Sequence, residues 1–181
     1  LKKYINYLDQ SDNLSDIVAI INIGANKGWY KEIKATDLSK NHLILVNKFN
    51  YLDNTYTSKD MVKVSNQHSY GNNQMLTSET YEAFKKMFKK AKEEDLTLII
   101  NSSFRSYEEQ ERIYNNLKSS KGENYADKLA ARVGHSEHQT GMAVDIQTYG
   151  STSSTFEEFD EFNWLKENAH KYGFILRYPK D

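Results

Sequence analysis

The stretch that most constrains this chain is Gly134-His135-Ser136-Glu137-His138-Gln139-Thr140-Gly141-Met142-Ala143-Val144-Asp145-Ile146. A divalent metal such as zinc takes a neutral imidazole nitrogen and a carboxylate oxygen as ligands, and His138 and Asp145 offer one of each. His138 reads as a loop residue, Gly141 as the point where the backbone turns, and Asp145 as a side chain projecting from a strand over 142–147. In such a strand Ala143 and Asp145 share one face, while Met142, Val144 and Ile146 point into the opposite layer. The small Ala143 leaves room beside the carboxylate for an ion.

The remaining elements are read from periodicity and turn chemistry. Residues 1–15 read as a short helix or arm, and the β-branched run 16–24, closed by a glycine, as a strand. Segment 42–48 (His-Leu-Ile-Leu-Val-Asn-Lys) reads as a second strand, with a shorter one at 61–64; Trp29 and Tyr30 lie in the connector between the first two. Tyr81, Phe84, Phe88 and Ala91 form the buried stripe of a helix over 78–92, capped by Thr77 or Ser78, with Glu79 at the positive end of its dipole. A strand at 96–101 leads into Ser102-Ser103-Phe104-Arg105.

Ser106 and Glu109 then make a capping box, opening a helix that carries Tyr107, Gln110, Tyr114 and Leu117 on one face. A loop at 118–123 and a short Ala-rich helix at 124–132 precede the metal stretch. Beyond it, Thr155 to Glu158 reads as a second capping box, and Phe162, Leu165, Ala169 and Tyr172 mark the buried face of the next helix. Gly173 ends that helix, and a last strand at 174–178 is halted by Pro179. Helices and strands alternate without regular crossovers, which predicts one α+β domain over 1–181, a mostly antiparallel central sheet flanked by helices.

Composition serves mainly to exclude. A formal net charge of −1 gives no basic footprint for nucleic acid or an anionic membrane surface. No apolar run approaches the roughly 20 residues needed to span a bilayer, so no membrane contact by the domain itself is expected. The absence of cysteine removes disulfides and thiolate metal ligands.

Arg105, at a helix start, would combine a guanidinium with unpaired main-chain N–H groups, a receptor suited to a carboxylate. Gln110, polar within an apolar stripe, could add an amide contact. His42 flanks a strand and His68 lies in a loop, neither with an evident role. His135 stands three before His138, but on a glycine-bounded loop, where joint chelation is not expected. His170, near the apolar face of a helix, reads as a packing residue.

The pattern Ser-x-His-x-x-Gly-x-Ala-x-Asp over Ser136–Asp145 resembles the signature of D-alanyl-D-alanine carboxypeptidases of the VanY type. These zinc peptidases share their fold with the amino-terminal domain of hedgehog proteins. Arg105-Ser106 with the downstream Gln110 resembles the family's Ser-Gly-Tyr-Arg-Ser…Gln element, Ser102-Ser103-Phe104 replacing its opening, and 164–179 resembles a structural segment of the family.

The resemblance implies that His138 and Asp145 bind Zn2+, and that Arg105, Gln110 and Ser136 hold the terminal D-amino acid of a peptidoglycan stem peptide. It implies action outside the cytoplasm, at the bacterial cell wall. It also implies that a third ligand and a general base come from a Glu-Pro-Trp-His-type segment after the Arg-Tyr-Pro strand. That segment is not found before Asp181, and Glu137, Glu161 and Glu167 lack its context. Residues 1–181 are therefore expected to be a shortened form that folds with a half-built metal site. The expected activity is release of C-terminal D-alanine. The alternatives are an L,D-carboxypeptidase or endopeptidase with the same site, or a non-catalytic peptidoglycan-binding module.

Overall fold

The structure, a computed structural model, describes residues 28–177. Along them run β1 (Lys34–Ala35), β2 (Asn50–Tyr51), β3 (Met61–Lys63), β4 (Met75–Thr77), α1 (Ser78–Lys92) and β5 (Ile99–Ser102). There follow α2 (Tyr107–Lys121), α3 (Glu123–Leu129), β6 (Asp145–Gln147) and α4 (Asp160–Asn168). Short 3-10 turns occupy Leu38–Leu43, Glu137–Thr140, Phe156–Glu158 and Ala169–Tyr172. The class is α+β. Its strands form three pairs, β1–β2 parallel and both β3–β4 and β5–β6 antiparallel, rather than one continuous sheet. The chain divides into two compact units, Leu1–Asn54 with Gln110–Ser136, and Thr55–Glu109 with Glu137–Asp181.

The second of these units is built on α1. Thr77 accepts the Thr80 N–H at 3.3 Å and so caps the helix. The fully buried residues are Tyr81, Phe84, Met87 and Ala91; Phe88, read as part of the stripe, packs against the same core but is only partly buried. Val64, Leu76, Leu98, Ile100 and Trp164 complete the core, against which Val144 and Ile146 pack. Full burial of side chains of this size contributes about 1.5–3 kcal/mol each. His68 sits at the edge of this core, its Nδ1 2.7 Å from the Tyr81 hydroxyl and its ring edge-on to Phe88. Gly173, at φ 85°, ends the turn after α4, as its position suggests.

In the other unit a polar knot fixes α2 and α3. Arg132 binds both oxygens of Asp127 at 2.9 Å, and Tyr114 donates to the same carboxylate at 2.8 Å. Burial, and then this bond, push the Tyr114 hydroxyl up to about 12. Helix α2 runs on to Lys121 through the expected loop, and α3 is shorter than the expected 124–132.

Several expectations are corrected. Segment 42–48 is not a strand: Leu43 and Leu45 are exposed and only Val46 is buried. The Asn47 side chain accepts the N–H groups of Phe49 and Asn50, each at 2.9 Å, so a local turn replaces a ladder. Residues 174–177 form no strand either; Ile175 and Leu176 are 74% and 52% exposed, with no strand beside them to pair with among the described residues. Strand β5 starts three residues later than expected and β6 covers only the last half of 142–147. Thr155 makes no side-chain cap. His170 is exposed rather than packed. The readings for 1–15 and 16–24 lie outside the described residues. No helix among the described residues is long and apolar enough to cross a membrane.

Candidate metal centre

The pairing of β5 with β6 sets the geometry. Ile99 faces Gln147 and Ile100 faces Ile146, but the next pair is Ser102 with Asp145, so the ladder skips Asn101 as a bulge. A bulge re-aims the side chains beside it. Here it brings Ser102 level with Asp145. Ser103, 1% exposed, locks the exit from β5: its hydroxyl donates to Gln74 Oε1 and accepts the Met75 N–H.

Glu137–Thr140 approaches from the other side as one 3-10 turn, where the sequence reads as a loop, and Gly141 follows it. The His138 carbonyl accepts the Arg105 N–H at 3.2 Å, Ser58 donates to Gln139 O at 3.0 Å, and Gly141 O accepts the Thr77 N–H at 3.0 Å. Gly141 has φ 70°, and a Cβ there would stand 2.8 Å from Met61 Sδ. Both the left-handed backbone and the close neighbour require glycine.

Within this frame His138 Nδ1 lies 2.6 Å from the Ser103 carbonyl. A carbonyl only accepts, so Nδ1 carries the hydrogen and the neutral ring's lone pair is on Nε2. That lone pair faces Asp145 Oδ2 at 3.5 Å. The separation is long for a charge-assisted hydrogen bond, about 2.7–2.9 Å. It matches what two ligands about 2.0–2.1 Å from one tetrahedral ion would show, roughly 3.3 Å apart. The donor types and their spacing fit zinc. No third His, Cys, Asp or Glu groups with this pair among the described residues.

Arg105 completes the cluster. Its Nη2 lies 3.5 Å from Asp145 Oδ2 and its Nε donates to Ser102 Oγ at 3.3 Å. Its own main-chain N–H is bound to His138 O, so it is not one of the free helix-start donors that the sequence suggests. Burial pushes the guanidinium below its ordinary pKa, while Asp145 and Glu109 draw it back up. Partial burial would raise Asp145, but His138, Arg105 and Ser102 outweigh it and hold the carboxyl below its usual value.

The other two recognition candidates belong to the other unit. Gln110 is 1% exposed and its amide donates to Ala131 O at 2.7 Å; Ser136 is 4% exposed. Of the glutamates considered, Glu137 is held by Arg177 Nε at 2.8 Å and Glu161 accepts from Thr148 and Thr97. The Ser102 hydroxyl and Ser103 carbonyl were not singled out from sequence. The only hint was a serine pair directly after a β-branched run.

The family model described as VanY, D-alanyl-D-alanine carboxypeptidase, matches residues 73–181. The chain belongs to the VanY family. It is 40% identical to the putative carboxypeptidase YodJ of Bacillus subtilis over 168 residues, 84% of this chain and 60% of YodJ, and so spans under two thirds of that relative. Among solved structures, the LdcB LD-carboxypeptidase superposes with a TM-score of 0.76 at 36% identity, covering 83% of this chain and 73% of LdcB. A vancomycin-resistance D,D-pentapeptidase VanY, solved as a mutant in complex with Zn(II), gives 0.62 at 28% identity, covering 76% of each chain.

Proposed function

We propose that this VanY-family chain is the core of a zinc-dependent carboxypeptidase that removes the C-terminal D-alanine from peptidoglycan stem peptides outside the cytoplasm. The observation that carries the reading is the His138–Asp145 pair, a fixed imidazole lone pair aimed at a carboxylate oxygen 3.5 Å away. Zn(II) in the related VanY structure supports the choice of metal.

His138 and Asp145 would hold the ion, which when bound polarises a carbonyl and lowers the pKa of its water toward about 7. The chain's own residues do the rest. Ser103 O fixes the His138 tautomer and ring plane, the outer contact that metal-bound histidines use. Arg105, steadied by Ser102, offers its planar fork to the peptide's terminal carboxylate.

A second reading has its own support. LdcB, the LD-carboxypeptidase, is the more similar in both TM-score and identity, which favours tetrapeptide over pentapeptide stems. The test is to incubate the full-length protein with matched stem tetrapeptide and pentapeptide and follow released D-alanine by mass spectrometry, with and without a chelator. Release from one or both substrates, abolished by chelation and restored by Zn2+, is expected, and the preferred substrate decides between L,D and D,D specificity. Tight stem-peptide binding without release would leave the non-catalytic module instead.

A further inference from the structure

Arg105 and His138 address the same atom. The guanidinium Nη2 and the imidazole Nε2 each lie 3.5 Å from Asp145 Oδ2. They reach it from fixed positions. Arg105 is anchored through Nε on the Ser102 hydroxyl and through its main-chain N–H on His138 O; His138 is anchored through Nδ1 on Ser103 O. The Arg105 side chain is 21% exposed and that of Asp145 53%, so solvent screens the guanidinium only in part. A cation held by His138 Nε2 and Asp145 therefore shares its one carboxylate with a second, fixed positive charge, and like charges this close oppose each other.

We propose that Arg105 and the bound metal are coupled through Asp145. The guanidinium weakens the hold of His138 and Asp145 on the cation, and a carboxylate ligand that neutralises Arg105 restores it. Metal and the C-terminal carboxylate of a peptide then bind with positive cooperativity. This rests on the reading that His138 and Asp145 hold zinc, and it assigns that site a regulation. Linkage makes the effect reciprocal: the carboxylate tightens the metal by the factor with which the metal tightens the carboxylate. Arg105 is thus both receptor and sensor, and the site gains affinity for its ion when a free peptide C-terminus arrives.

The experiment is a Zn2+ titration of the full-length protein against a chromophoric chelator at low salt, on wild type and Arg105→Gln, with and without N-acetyl-D-alanine or its amide. Arg105→Gln should bind Zn2+ about tenfold more tightly than wild type, within the roughly 5–150-fold range of site–site coupling. N-acetyl-D-alanine should tighten wild-type binding severalfold, the amide should not, and Arg105→Gln should not respond. Equal or weaker Zn2+ binding by a folded Arg105→Gln overturns the coupling, as does a carboxylate effect that survives in that variant. If circular dichroism shows Arg105→Gln unfolded, the acid-against-amide comparison on wild type decides alone. A separate arm tests the foundation: Zn2+ binding unchanged in His138→Ala and Asp145→Asn removes the ligand assignment itself, a result distinct from loss of coupling alone.

Discussion

His135 and His138 stand three positions apart and start from the same chemistry. Each presents Nδ1 to a main-chain carbonyl, Asn47 O at 2.7 Å and Ser103 O at 2.6 Å, which leaves the neutral ring's lone pair on Nε2. Their surroundings differ. His135 is 8% exposed and packed edge-on to Tyr30, with Tyr51 also against it. Burial, aided by Arg132, pushes its pKa down although the Asn47 bond opposes this. His138 instead faces Asp145 and, beyond it, a guanidinium. The His-x-x-His spacing carries no chemistry by itself: one ring fills space in its unit and the other meets a carboxylate in the second. On the proposed reading, what makes His138 rather than His135 a ligand is the second nitrogen's neighbour.

The sharpest way to break this comparison is to truncate both rings in the full-length protein. His138→Ala should lower D-alanine release by more than the roughly 10–100-fold that loss of even an outer metal partner costs. His135→Ala should leave turnover near wild type but lose about 1–3 kcal/mol of stability in urea melts, from a lost buried hydrogen bond and a cavity. If His135→Ala instead abolishes zinc binding, the division of roles between the two rings is wrong.

Arg105→Lys asks whether charge or shape serves the site. Lysine keeps the charge but loses the planar fork and the Nε contact to Ser102. We expect a fall in kcat/KM on the order of 10–100-fold, equivalent to about 1.4–2.7 kcal/mol, together with reduced discrimination between free and amidated peptide C-termini. A lysine variant with wild-type rates would move recognition elsewhere. Smaller again is Gly141→Ala, which holds a left-handed conformation costing about 1–2 kcal/mol for a residue with a Cβ. Because the strain sits in the His138 turn, Tm and zinc affinity should fall together. A change in Tm alone would make Gly141 purely structural.

Where the sequence was legible, the information was local. Helix α1 is read to its ends because Thr77, Glu79 and an apolar stripe all lie within its own residues, and Gly173 announces its turn in the same way. The readings that failed needed a distant partner. Segments 42–48 and 174–177 carry β-branched and aromatic residues, but a strand exists only where another backbone pairs with it, and Asn47 supplies a local alternative. Phe88 keeps the helix phase of the stripe and packs partly buried against the core, but full burial extends to Met87 at the stripe's flank because the surrounding elements reach over it, which periodicity within one helix does not tell. At the candidate site, the structure brings together His138, Asp145 and Arg105, three of the residues that the family resemblance implies. The Ser103 carbonyl that sets the tautomer, and the bulge at Asn101 that aligns Ser102 with Asp145, are main-chain features without a sequence signal.

The smallest effect lies in acid. His68 and His135 both have folded pKa values lowered from the ordinary 6.5, chiefly by burial. A lowered histidine pKa means that the fold prefers the neutral ring, so the unfolded chain takes up protons first as pH falls. Their contribution is thus fully present above about 6.5 and is lost as pH drops toward the folded values. Asp145, also lowered, behaves alike in a separate window, contributing above its ordinary 3.8 and losing that contribution only below it. Urea melts between pH 7.5 and 4.5 should therefore show a shallow decline set by the two buried histidines, while Asp145 stays silent. In His135→Gln the slope over that range should shrink, and in His68→Gln it should shrink again. A decline that both variants leave unchanged would place the acid sensitivity outside these rings.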